Sequence, residues 1–94
     1  NTNSSPLKGI SLRPLDDDLR DAYSIPKDLD GVLLIEVDGD SPFVDKLEPL
    51  TVIIEINGIA VNSIDGIEEN LVMNRQNRFY IWADGKKRFV ILKL

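Results

Sequence analysis

The sequence predicts a mixed α/β domain that is mainly β, with five to six strands forming a small partly open barrel capped by two to three short helices. Three observations carry this expectation. Residues 52–56, VIIEI, are dominated by β-branched side chains suited to a pleated, buried surface, and Asn57-Gly58 closes them with residues that tolerate the positive φ angles of a two-residue hairpin turn. A second turn of the same kind, Asp84-Gly85, separates the apolar segments Phe79 to Trp82 and Arg88 to Leu94. The helical patterns between these strands are brief and have identifiable start signals.

Size and composition narrow the possibilities further. Ninety-four residues make one small domain, which buries about 60% of its unfolded-chain surface and so needs a well-filled core; a hydrophobic content of 43% supplies one. The chain has no cysteine, which excludes thiol catalysis, thiolate metal sites and redox function. It has no histidine, so the commonest general base and zinc ligand is missing as well. No chemistry is therefore expected within this chain, and no cofactor is implied. Sixteen acidic residues against eleven basic give a formal charge of −5, which repels nucleic acid and anionic membranes unless basic residues are concentrated locally. Lys86-Lys87-Arg88 is the one such concentration, and its position after Asp84-Gly85 reads as a solvated loop tip rather than a nucleic-acid patch. No apolar run approaches the roughly 18 residues of a membrane span.

In chain order, residues 1–6 are expected to be a disordered lead-in or linker remnant, and residues 7–94 the folded domain. Leu7 to Leu15 alternates, with Ile10 and Leu12 on one side and Gly9, Ser11 and Arg13 on the other, and Pro14 marks the segment as an edge strand. Asp16-Asp17-Asp18 supplies an N-cap and acidic first turn to a short helix ending near Pro26; adjacent aspartates diverge on a helix, which disfavours a metal site. Val32 to Val37, VLLIEV, follows Asp30-Gly31 and reads as a central strand. Ser41-Pro42 is a helix start signal for a short helix carrying Phe43, Val44 and Leu47. Ser63 caps a longer helix from Ile64 to about Met73, with Ile64, Ile67, Leu71 and Val72 as its apolar stripe.

Several of these segments together resemble a PDZ domain of the HtrA/DegP family of serine proteases, most like the C-terminal, second one. Gly9-Ile10-Ser11-Leu12, followed by Pro14-Leu15, resembles the carboxylate-binding loop and groove strand. Asp30-Gly31-Val32 with Glu36-Val37 and Ser41-Pro42 resembles the family's D-G-V-x-V-x-x-V-x-x-x-S-P segment. Lys46 to Gly58 resembles G-L-x-P-G-D-V-I-x-x-I-N-G, and Trp82-x-Asp-Gly with Arg88-Phe-Val resembles the closing hairpin. Three departures stand out: Lys46 where the family has Gly, Leu50-Thr51 where it has Gly-Asp, and Lys8 where a hydrophobic residue precedes the loop glycine. Side chains at positions that favour positive φ predict a rebuilt turn over residues 46–51.

The resemblance implies the circularly permuted bacterial PDZ arrangement and a non-catalytic, periplasmic or cell-envelope module. Its role would be to regulate, or recruit substrate for, a serine endopeptidase in protein quality control, with hydrolysis done elsewhere in the parent protein. Partners would be C-terminal or extended segments of unfolded proteins, the protease domain, or neighbouring subunits. Carried onto these residues, Gly9 and Ile10 supply amides to a terminal carboxylate and Lys8 adds positive charge. Ser11 lies on the strand that receives the peptide, while Ile10, Leu12 and Leu71 form the pocket with Glu68 on its helical rim. The competing reading takes Ile10, Leu12 and Leu71 as ordinary core. Two further functions stay open: an assembly module of the protease oligomer, and a PDZ domain of another envelope protein such as a site-two protease or secretion component.

Overall fold

The computed structural model describes Leu7 and residues 9–93, so the expected lead-in at 1–6 lies outside the described residues. The elements run β1 (Ile10–Pro14), α1 (Asp17–Tyr23), β2 (Val32–Val37), β3 (Thr51–Ile56), β4 (Ile59–Ala60), α2 (Ile64–Asn70), β5 (Gln76–Ala83) and β6 (Lys86–Lys93). Six antiparallel strands form one open sheet in the order β1-β2-β3-β5-β6, and the two-residue β4 pairs with β3 beyond the end of β2. The described residues are thus mainly β with two helices.

Apolar clusters pack on both faces of this sheet, and the residue pattern explains how. In β2, Val32 and Leu34 join one apolar cluster while Leu33 joins another on the opposite face, which is why the strand reads as an unbroken apolar run. The larger cluster lies on the α2 side and includes Leu7, Ile10, Leu12, Phe43, Ile53, Ile67, Phe79 and Leu92. The smaller one gathers Ile25, Leu29, Leu33 and Val52, with Leu19 of α1 and Trp82 packed against it. Two bulges adjust the alternation. In β2 the pairing passes from Ser11↔Glu36 to Leu12↔Leu34, so Ile35 is the extra residue and Val37 returns to the larger cluster. In β3 the pairing skips Ile54, which leaves Ile53 and Ile56 on the same face although they are three residues apart.

Short-range chemistry sets most of the boundaries. Asp16 caps α1 by accepting the Leu19 amide at 2.8 Å, and Ser24 ends the helix in the left-handed region at φ +57°. Arg20 ties this helix to the following turn, donating to the Leu29 carbonyl at 3.1 Å and pairing with Asp17 and Asp30. Asn57 and Gly58 have φ of +54° and +84°, and Asp84 and Gly85 have +55° and +78°, so both hairpin turns take the expected twisted form.

Four expectations need correction. The segment after Ser41-Pro42 is a succession of turns rather than a helix. Val44 and Lys46 donate to carbonyls three residues back and only Leu47 reaches four back, too little propagation to sustain a helix before Glu48-Pro49. Helix α2 stops at Asn70, three residues short of Met73, and leaves Val72 and Met73 exposed. Lys86-Lys87-Arg88 belongs to β6 and not to the loop tip, because the turn itself consumes only Asp84 and Gly85. The turn over residues 46–51 is rebuilt in part only: Lys46 has no positive φ, whereas Leu50 takes a left-handed step at φ +67° with its amide bonded to the Leu34 carbonyl at 2.7 Å.

Candidate functional site

Strand β1 forms one edge of the sheet, pairing only with β2 among the described strands, and α2 packs alongside it. An edge strand offers a row of backbone donors and acceptors, so the strip between β1 and α2 is the place where the predicted site residues meet. Ile10 and Leu12 face the larger cluster with Ile67, and Leu71 and Ile64 pack against the same cluster from α2 and its end. Ser11 points outward and Glu68 is exposed on the helix. Lys8 lies outside the described residues.

Burial separates these residues into two groups. Ile10 is 2% exposed and Leu12 9%, so both are part of the core that holds β1 in place. Leu71 is half-buried and Glu68 is open, so the helical side of the strip presents the accessible groups. The spacing that suggested a three-residue apolar pocket therefore places two of its members in the packed interior.

The turn leading into β1 is shaped by packing. Gly9 has φ +76°, and a Cβ there would lie 2.8 Å from the Cβ of buried Ser41, so glycine is required by conformation and by close approach. The Gly9 carbonyl accepts the Asp38 amide at 2.8 Å, and the Ser41 hydroxyl accepts the Phe43 amide at 3.2 Å, binding the loop over residues 38–43 to the head of β1. The Ile10 amide donates to the Leu7 carbonyl at 3.2 Å within the turn. Of the two amides expected to receive a carboxylate, Ile10's is thus engaged in the chain itself, and Gly9's is the remaining candidate.

The position of Leu71 depends on two asparagines that the sequence pattern alone does not mark for this role. Asn77 is fully buried and its side chain makes four hydrogen bonds: its oxygen accepts from the Val72 amide at 2.8 Å and the Asn57 amide group at 2.9 Å. Its nitrogen donates to the carbonyls of Val72 at 2.8 Å and Arg75 at 2.9 Å. Asn57 also donates to the Asn70 carbonyl at 2.9 Å and accepts the Arg78 amide at 3.0 Å. These bonds give the Asn70 carbonyl, both backbone groups of Val72 and the Arg75 carbonyl partners outside a helix, which explains the early end of α2 and the extended conformation of Leu71. The signal in the sequence was a polar residue at an inward position of the alternation Asn77, Phe79, Ile81.

The fold and this edge define a small, mainly β domain with a helix beside a sheet edge that pairs only with β2 among the described strands. No protein-family model matches the chain, and no curated protein matches it.

Proposed function

We propose that the chain is a non-catalytic peptide-binding domain of the PDZ type, in the circularly permuted arrangement, serving an HtrA/DegP-type serine endopeptidase of the periplasm. The observation that supports this reading is the β1 edge beside α2, paired only with β2 among the described strands and headed by a glycine turn where positive φ and the close approach of Ser41 together disfavour a side chain. An extended peptide adds to the strand by backbone hydrogen bonds, its terminal carboxylate is received at the Gly9 turn, and its last side chain packs against the accessible part of Leu71. Glu68 sets the charge preference at the rim.

The test is a titration with apolar-ended peptides carrying a free or an amidated C-terminus, followed by amide resonances. Free-carboxylate peptides should shift Gly9, Ile10 and Ser11 together with Glu68 and Leu71, with affinity on the order of micromolar or weaker because a short flexible peptide loses much freedom on binding. Amidation should weaken the response, and Leu71→Ser should weaken it while leaving the fold intact. If neither region responds, peptide capture fails and the assembly reading takes its place; the burial of Ile10 and Leu12 and the engaged Ile10 amide favour that second reading.

A further inference from the structure

The other edge of the sheet has a chemistry of its own. From Arg75 to Lys93 six basic residues accompany one acidic residue, a local charge of +5, whereas residues 1–74 contain five basic and fifteen acidic residues, a charge of −10. Strand β6 contains four of those cations and no carboxylate, and among the described strands it pairs only with β5. That pairing runs without a bulge from Gln76↔Lys93 to Ala83↔Lys86, so the edge is long and regular.

Hairpin geometry fixes which groups this edge presents. A two-residue turn makes Ala83 and Lys86 a hydrogen-bonded pair, and antiparallel pairing alternates from there. The backbone donors and acceptors of Lys87, Phe89, Ile91 and Lys93 therefore face away from β5. The same four side chains share the sheet face carrying Tyr80, opposite the one that buries Phe79 and Ile81. Phe89 is 58% exposed and Ile91 44%. The edge reads, at alternate positions, cation, apolar, apolar, cation.

We propose that β6 is a second strand-addition surface, distinct from the β1 edge, and that it takes an extended acidic polypeptide segment. The matching segment carries two apolar residues at alternate positions, bracketed on the same face by carboxylates, so that apolar side chains meet Phe89 and Ile91 while carboxylates meet Lys87 and Lys93 across the strands. Charge disfavours a second copy of β6 in the register centred on Val90, where antiparallel self-pairing sets Lys87 opposite Lys93 twice over. Single-stranded nucleic acid is a poorer fit, because stacking needs open ring faces. Tyr80 and Trp82 are half-buried, Glu55 stands opposite Tyr80, and the Arg78 guanidinium lies 5.2 Å from the Phe89 ring centroid.

The test uses a peptide of about nine residues containing Glu-Ser-Val-Ser-Val-Ser-Glu, acetylated and amidated so that it has no terminal carboxylate for the β1 edge. A control peptide exchanges its Glu and Val positions, and a third replaces Glu with Lys. The first peptide should shift the amides of Lys87, Phe89, Ile91 and Lys93 and leave Gly9 and Ser11 unmoved. Its affinity should fall several-fold when salt is raised from about 0.05 to 0.5 M. K87E/K93E, at exposed positions, should reduce binding at least tenfold, and the salt series on the unmodified chain decides the same question if that variant misfolds. No shift at millimolar peptide, or equal shifts from all three peptides, would overturn the proposal. Tighter binding of an oligothymidylate to the same residues would overturn it in favour of nucleic acid, and a concentration-dependent dimer protecting β6 would do so in favour of self-association.

Discussion

Leu50 holds a left-handed conformation at φ +67° while its side chain is 42% exposed, so the strain is not repaid by deep burial. Left-handed geometry costs an L-residue about 1–2 kcal/mol, and glycine's extra loss of freedom on folding is about 0.5–1 kcal/mol. Leu50→Gly trades that strain against glycine's freedom and the partial burial of the side chain, and should leave stability unchanged or raise it by up to about 1 kcal/mol, read as an equal or higher denaturant midpoint at unchanged slope. Asn77 presents the opposite case. Its side chain is buried while its bonding partners lie nearer the surface, and Asn77→Ala leaves the Val72 amide and the carbonyls of Val72 and Arg75 without their partner. A buried group stripped of its partner costs about 1–3 kcal/mol, and because these groups are only part-buried a loss within about 1–3 kcal/mol in all is expected. Amide exchange should also accelerate at Leu71 and Val72 ahead of the rest of the domain. Uniform acceleration over the whole chain would show that Asn77 does not specifically anchor the end of α2.

At the scale of elements, β3 gives a sharp contrast between neighbours. Ile56 is fully buried in the larger cluster, whereas Ile54 sits at the bulge and is only partly buried against the smaller one. Ile56→Ala should cost about 2–5 kcal/mol by leaving a cavity, and Ile54→Ala about 1–2 kcal/mol through partial loss of apolar contact. Equal costs in chemical denaturation would contradict the placement of the bulge. That bulge was not legible in the sequence: VIIEI states that the strand is buried, but a single extra residue leaves the composition unchanged and is decided by pairing with β5. The hairpin turns were legible, because Asn-Gly and Asp-Gly encode backbone conformation directly, and Asp16 was legible as a cap for the same reason. Helix α2 was overextended because Leu71 and Val72 continue the apolar stripe, while the competing partners lie at Asn57 and Asn77, far along the chain. The candidate site was legible as an edge strand with a helix beside it. The burial of Ile10 and Leu12 was not, since period-two alternation tells which residues share a face and not how closely that face is covered.

Across the whole molecule, the two apolar clusters share the same backbone. Leu33 projects into the smaller cluster between Val32 and Leu34, which project into the larger, so neither face can lose its packing while β2 stays in place. A domain of this size with a single continuous sheet is expected to unfold in one cooperative step. The single tryptophan makes this testable: Trp82 packs against the smaller cluster, and its fluorescence reports that face alone. Far-UV circular dichroism reports the sheet as a whole. The two signals should give coincident denaturation midpoints in the unmodified chain. They should move together in Leu33→Ala, which removes a fully buried side chain and should cost about 2–5 kcal/mol. A fluorescence transition that precedes the loss of β signal would mean that α1 and the Ile25 to Leu29 turn detach as a separate unit. The Arg20 bonds to Leu29 and Asp30 would then hold α1 to its own turn rather than to the sheet, and Arg20→Ala should widen the gap between the two midpoints.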